Sequence, residues 1–148
     1  MESKKTHIDF TLANASSKLL FVCVENSARS QMAEGIARRL APESVSVFSA
    51  GSQPSGSVHP LAVEVMAEIG IDISSQTSKG LDAVPLEDID IAVTLCAEES
   101  CPVISTQAQK YHLALEDPAG NHQNETTVFR AVRDRLYETI QTWFEPSA

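Results

Sequence analysis

Between Leu19 and Val24 the chain is an unbroken apolar run, and from Ser30 onward the apolar residues Met32, Ile36 and Leu40 return every fourth position. The first pattern reads as a buried strand and the second as the inner face of a helix. The alternation then repeats. Val45 to Ala50 has the β-branched and aromatic content of a second strand. Pro60 to Ile69 carries Leu61, Val65, Met66 and Ile69 at helical spacing, with Pro60 suited to the first turn and Gly70 to the C-terminal cap. Ile89 to Leu95 is a third strand and His112 to Leu115 a less apolar fourth. Thr126 to Phe144 sets Val128, Phe129, Val132, Leu136, Ile140, Trp143 and Phe144 on one stripe of a long helix. Ile71 to Leu86 is irregular, with room for a short helical turn. Strands alternating with helices predict a parallel sheet with right-handed crossovers and helices on both faces.

Ligands of such sheets sit beyond the carboxyl ends of the strands, where strand order reverses. Cys23 ends the first strand, Cys96 follows the third and Asp117 follows the fourth, so three reactive groups are predicted at one edge. The turn-rich loop from Gly51 to Val58 joins them there. The loop Val24, Glu25, Asn26, Ser27, Ala28, Arg29 runs from Cys23 into a helix N-terminus, whose unpaired N–H groups and positive dipole end favour an anion. Arg29 adds a planar fork of donors matched to two oxygens of a tetrahedral oxyanion. A cysteine on the floor of that cradle is favoured as a thiolate nucleophile, and the Ser30 hydroxyl is placed to donate to it. A lone strand cysteine would be read as core. Cys-x5-Arg-Ser between a strand and a helix points instead to a catalytic loop.

Composition narrows the partners. The 148 residues suffice for one domain with a full core, and 20 acidic against 11 basic residues give a net charge of -9. That balance argues against nucleic acid or an anionic membrane as the main partner. No stretch has the apolar length of a membrane span, and the first ten residues lack a signal-peptide core. Met1 to Ser17 is expected to be a polar, mobile tail before a domain spanning 18–148, although Ile8, Phe10 and Leu12 alternate as an edge strand or packed arm would. Three cysteines do not suit a secreted disulfide framework, and a cytoplasmic monomer is expected.

Cys96 and Cys101 flank the polar residues Ala97 to Ser100. Their spacing is not that of a zinc site, and His59, His112 and His122 offer no paired ligand spacing. No metal is expected. A redox pair fits better than two unrelated core residues. Five residues in extended form span roughly 17 Å, against about 4.4 to 6.8 Å between the Cα atoms of a disulfide. The segment Thr94 to Ser105 is therefore expected to bend and to switch with redox state. One thiolate in an oxyanion cradle suggests a phosphatase. Two further thiols suggest that the anion is reduced, because they can supply two electrons and end as a disulfide.

From Lys18 to Phe144 the chain resembles the arsenate reductases built on the low-molecular-weight protein tyrosine phosphatase fold, through C-V-E-N-S-A-R-S-Q-M-A-E-G, F-S-A-G, T-S-K-G, V-T-L-C and E-D-P-A-G. The resemblance implies a three-layer α/β/α domain with a four-stranded parallel sheet in the flavodoxin-like order 2-1-3-4. It implies a relay in which Cys23 attacks arsenate held by the loop and Arg29, Ser30 stabilises the thiolate, Asn26 shapes the loop and Asp117 is the acid/base. Cys96 then attacks Cys23, releasing arsenite, and Cys101 attacks Cys96. The Cys96–Cys101 disulfide would be reduced by an external thiol donor, thioredoxin ahead of glutaredoxin with glutathione, with no bound cofactor. Without the resemblance Asp117 reads equally well as an Asp-Pro turn residue.

Three departures from the family pattern carry expectations. Glu25 stands where many such loops have a small residue and should face solvent. The Cys96-to-Cys101 gap is shorter than in some thioredoxin-coupled members. Asn26, Glu34 and Ser49 match three ligands of a potassium site found in some relatives, whereas Lys79 falls where the fourth, an aspartate, would align. Its ammonium is expected to replace the ion; the plain alternative is a solvated surface lysine. Two rival functions remain at this level: a low-molecular-weight phosphatase acting on phosphotyrosine or a small phosphate ester, and a non-catalytic anion-binding or redox-sensing module. The loop Asp117-Pro118-Ala119-Gly120 offers no aromatic wall for a phosphotyrosine ring.

Overall fold

The apolar run at Leu19 becomes the strand beside which the chain reverses direction across the sheet. The computed structural model describes residues 17–97, 107–120 and 123–144. Its strands are β1 (Lys18–Cys23), β2 (Ser46–Gly51), β3 (Ile91–Cys96) and β4 (Gln109–Leu115), and its helices α1 (Arg29–Leu40), α2 (Pro60–Glu68) and α3 (Glu125–Phe144). The sheet order is β2-β1-β3-β4, with every neighbouring pair parallel. The chain thus leaves β1 toward β2 and returns on its other side to β3. This makes the carboxyl end of β1 the topological switch point.

Strand alternation sorts the core into two faces. Leu19, Phe21, Val47, Val93, Leu95 and Leu113 pack toward Met32 and Ile36 of α1, Val65 of α2 and Phe129, Leu136 and Ile140 of α3. Phe21 stacks on Trp143 with ring centroids 6.0 Å apart. Leu20, Val22, Ala50 and Ala92 point the other way, toward Val84, Leu81 and Leu86. Among the described residues that second face takes its helical cover as two 3-10 turns, Leu81–Ala83 and Leu86–Asp88. Gly80 and Pro85 punctuate this stretch, so neither turn propagates into an α-helix.

Charged pairs bind the helices to one another. Glu68 at the end of α2 accepts hydrogen bonds from Arg130 and Arg133 of α3, which hold its carboxyl at about 2. Arg133 also donates to the Val65 carbonyl at 2.9 Å. Gly70 follows with φ 81°, the left-handed conformation expected of a residue ending a helix. β4 begins at Gln109, ahead of the apolar signal at His112, because its first residues form an exposed edge. Residues 1–16, including Ile8, Phe10 and Leu12, lie outside the described residues, as do residues 98–106 with Cys101. No helix among the described residues is long and apolar enough to cross a membrane.

Candidate active site

Cys23 is the last residue of β1, carries no disulfide and is only 2% exposed. The loop after it is tied outward by its carbonyls. Val24 O accepts from Gln53 N at 2.8 Å, Glu25 O from Ser55 N at 3.0 Å, Ser27 O from His59 N at 2.9 Å and Ala28 O from Met32 N at 2.9 Å. Asn26 O accepts from Gln31 Nε2 at 3.1 Å. No peptide bond is cis, and in a trans unit the N–H points opposite to the C=O. With these carbonyls committed to the surrounding protein, the N–H groups of Glu25, Asn26, Ser27, Ala28 and Arg29 turn inward. No side chain caps α1, and no acidic residue occupies its first turn. Its N-terminus therefore adds to the same concavity. The sharp turn uses Asn26 at φ 51°, a region that asparagine tolerates better than most residues.

A chain of hydrogen bonds runs beneath the loop from Glu34 to Cys23. Glu34 is 4% exposed and accepts the Ser49 hydroxyl at 2.6 Å. Ser49 Oγ in turn accepts from Asn26 Nδ2 at 3.0 Å, and the same amide nitrogen donates to Ser30 Oγ at 2.7 Å. Ser30 Oγ and Cys23 Sγ share a hydrogen bond 2.9 Å long. The Asn26 amide is oriented by its other end, where Oδ1 accepts from Gln31 Nε2 at 2.9 Å and Lys79 N at 2.8 Å.

Arg29 is 3% exposed, and its Nη1 donates to the Leu115 carbonyl at the end of β4, 3.0 Å away. Its Nη2 lies 3.9 Å from Asp117 Oδ2. Asp117 Oδ1 accepts the Ala119 N–H at 3.0 Å, so the turn role and a place beside the cradle are met by different oxygens of one carboxylate. Half of the Asp117 side chain is exposed. Glu25 is exposed, in line with the expectation that it faces away from the anion.

Lys79 Nζ lies 4.0 Å from Glu34 Oε1 and donates to the Thr77 carbonyl at 2.6 Å. Partial burial holds its ammonium below the usual lysine range; Glu34 pulls it up, and Arg38 adds to the fall. Arg38 neutralises the other Glu34 oxygen at 2.7 Å. Two side-chain cations thus attend the one carboxylate, which leaves an external ion no uncompensated charge to balance. Melting temperature and activity are expected to be equal in potassium and sodium buffers of the same ionic strength, and a potassium-specific rise would contradict this.

Cys96 is buried at the carboxyl end of β3, the strand next to β1, while Cys101 lies outside the described residues. Among the described residues no three His, Cys, Asp or Glu side chains converge as a metal site would. Two contributors escaped the sequence reading. Gln31 is fully buried, donates through Nε2 to both the backbone and side-chain oxygens of Asn26, reaches the Thr77 carbonyl at 2.8 Å and is held by Gln76 at 2.8 Å. Its signal was a polar residue within the first turn of an apolar-faced helix. Gly51 abuts the loop so closely that a Cβ there would stand 2.5 Å from Val24 O and 2.9 Å from Asn26 N; no local pattern announces that contact.

Residues 18–147 match the family model described as low molecular weight phosphotyrosine protein phosphatase. Arsenate reductase 2 of Staphylococcus saprophyticus is 43% identical over 129 residues, which cover 86% of this chain and 95% of that protein. A solved arsenate reductase in the phosphate-binding state superposes with a TM-score of 0.73 at 36% identity, covering 86% of this chain and 96% of that one. A thioredoxin-dependent arsenate reductase of Corynebacterium glutamicum superposes with a TM-score of 0.62 at 28% identity, covering 88% of this chain and 65% of that one.

Proposed function

Since the chain belongs to the low-molecular-weight phosphotyrosine protein phosphatase family, alongside its arsenate reductases, we propose that it reduces arsenate to arsenite in arsenic detoxification through a three-cysteine relay. The observation that carries the reading is the inward-facing amide cradle closed by Arg29, with Cys23 Sγ at its floor. A related arsenate reductase has been solved in a phosphate-binding state, and phosphate and arsenate share the tetrahedral geometry and charge the cradle addresses.

In the first step the Cys23 thiolate attacks arsenic and an As–O bond breaks, Asp117 giving its proton to the departing oxygen. Arg29 and the loop amides hold the remaining oxygens. Cys96 then attacks Cys23 Sγ as a thiolate. The S–As bonding pair stays on arsenic, which falls from As(V) to As(III) and leaves as arsenite, and a Cys23–Cys96 disulfide remains. Cys101 attacks Cys96, freeing the Cys23 thiolate, and the Cys96–Cys101 disulfide takes two electrons from an external dithiol. Thioredoxin is the favoured donor, supported by the Corynebacterium glutamicum neighbour; glutaredoxin with glutathione is the alternative.

Strand geometry bears on the second step. Val22 pairs with Thr94, so Cys96 lies one residue beyond the register of Cys23. Alternation sets Cys23 on the face of Leu19 and Phe21, while Cys96 pairs with Leu115 after a register shift that follows Thr94. Sulfur-to-sulfur attack is expected to draw on movement of this irregular strand end, within the segment Thr94 to Ser105 expected to switch with redox state.

The test is arsenate-dependent NADPH consumption with thioredoxin and thioredoxin reductase on wild type, Cys96→Ser and Cys101→Ser. Turnover in wild type and its loss in both variants is expected. Turnover that survives either substitution contradicts the relay. Turnover only with glutaredoxin and glutathione would reassign the donor. A second activity, slow hydrolysis of aryl phosphates, follows from sharing Cys23, Arg29 and Asp117 with the phosphatases, but the loop Asp117-Pro118-Ala119-Gly120 carries no aromatic residue to hold the ring.

A further inference from the structure

The N-terminus of α2 is capped by a histidine, and the same residue anchors the oxyanion cradle. His59 Nδ1 accepts the Leu61 N–H at 3.1 Å, from an extended backbone with φ -64° and ψ 133°. Its own backbone N–H donates to the Ser27 carbonyl at 2.9 Å. Its ring rests on Phe129 of α3, with centroids 4.8 Å apart. N-cap positions favour Ser, Thr, Asp and Asn, whose oxygens accept at any ordinary pH. An imidazole accepts through Nδ1 only when neutral, with its proton on Nε2.

We propose that His59 is a positioning residue for the cradle, holding the Ser27–Ala28 peptide so that the Ala28 N–H faces the anion only while the imidazole is unprotonated. Protonation would set an N–H at Nδ1 against the Leu61 N–H and a positive charge at the positive end of a helix dipole. The ring would then have to leave the cap. Loss of the cap would loosen the first turn of α2, and with it the His59 backbone N–H that fixes the Ser27 carbonyl. Oxyanion affinity therefore falls on the acid side, and by reciprocity oxyanion binding drives a proton off the imidazole.

The charged groups around His59 are engaged elsewhere. On α3, Arg133 is bound to Val65 O, Glu68 and Asp134, and Glu125 accepts the Gly120 N–H. On the cradle, Arg29 lies between the Leu115 carbonyl and Asp117. On α2 itself, Glu68 serves Arg130 and Arg133, and Glu64 is exposed. No ion pair among the described residues reaches the imidazole to hold a proton there.

This inference rests on the oxyanion cradle of the proposed function, but not on reduction of the anion. The probe is inorganic phosphate, titrated calorimetrically into the reduced full-length protein at about pH 5.5 and about pH 8, either side of the ordinary imidazole range. Wild type, His59→Asn and His59→Ala are compared. Phosphate and the other cradle groups ionise in all three, so the effect of His59 is the difference between variants. Asparagine caps without titrating. The acid-to-alkaline ratio of phosphate Kd is expected to be up to about fivefold larger in wild type than in His59→Asn, the equivalent of one helix cap. His59→Ala should bind weakly at both pH values. Wild type should also release more protons per phosphate bound than His59→Asn, read from buffers of different ionisation enthalpy. Equal ratios would overturn the proposal, as would a smaller ratio in wild type, which would mean that the imidazolium simply attracts the anion. Absence of phosphate binding in all three proteins would overturn the cradle itself and this inference with it.

Discussion

Cys23→Ser is expected to lower arsenite formation by at least about a thousandfold, the scale seen when a catalytic nucleophile is removed. The loss has two sources. A serine hydroxyl at neutral pH is a far weaker nucleophile than a thiolate, even with the Ser30 hydroxyl 2.9 Å from its position. Oxygen also cannot enter the disulfide exchange through which arsenic would gain two electrons, so no arsenite can follow even if an ester formed. Any aryl phosphate hydrolysis should fall by a similar factor. Phosphate binding should persist, because the cradle donors are backbone amides and Arg29. Initial rates measured beside phosphate calorimetry separate the two effects. A variant that keeps a tenth of the wild-type rate would show that another group makes the attack.

Gly51→Ala should impair the site without touching any group that reacts. Its methyl would stand 2.5 Å from Val24 O and 2.9 Å from Asn26 N, both backbone atoms that no side-chain rotation can clear. Gly51 is pinned in turn by its N–H on the Lys79 carbonyl at 3.0 Å and by the parallel register of β2 on β1, where it pairs with Cys23. The loop must therefore move, and with it the peptide units whose N–H groups face the anion. Overpacking of this kind costs about 1–3 kcal/mol of stability. Affinity for phosphate should fall by about tenfold or more, the equivalent of about 1.4 kcal/mol. Denaturant unfolding and phosphate titration on the same preparation give both numbers. Unchanged phosphate affinity would mean that the loop has freedom these contacts deny it.

The contrast between Cys23 and Gly51 shows what can be read from a chain of this kind. Cys23, Arg29 and Ser30 were legible because reactive side chains lie at fixed offsets within one strand-loop-helix unit, where local spacing and chemistry coincide. The sheet was legible for the same reason: Leu19–Val22 and the Met32, Ile36, Leu40 series each declare their own period. Gly51 was not, since its role is the absence of a side chain opposite a loop that is distant in sequence. Gln31 was hidden differently. Burial of a polar residue depends on partners such as Thr77 and Gln76, which only the fold supplies. The start of β4 was missed because Gln109 and Lys110 form an exposed edge with no apolar alternation. The cover of the second face was missed because 3-10 turns have no long period to detect. Asn26, Glu34 and Ser49, which match ligands of a potassium site in some relatives, became recognisable only through the family resemblance. Their connection, running from Glu34 through Ser49 and Asn26 to Ser30, is visible only in the hydrogen bonds.

That connection links the fold to the chemistry. The Glu34 carboxylate can only accept, so the Ser49 hydroxyl donates to it, and the chain of bonds ends at Ser30 beside Cys23 Sγ. The cradle above is formed by backbone whose carbonyls are held by the loop from Gln53 to His59 and by the first turn of α1, so its geometry is largely prepared before an anion arrives. A phosphatase and a reductase can share all of this. What separates them here is the pair of additional cysteines, one of them at the end of the strand beside Cys23.

The most direct measurement is therefore of the product. Purified protein is supplied with arsenate, NADPH, thioredoxin and thioredoxin reductase, and arsenite is quantified against NADPH oxidised. One arsenite for each NADPH oxidised, with no consumption without arsenate, is the expected result. Failure to form arsenite with either thioredoxin or glutaredoxin and glutathione, in a preparation that hydrolyses an aryl phosphate through Cys23, would contradict it and make the protein a phosphatase.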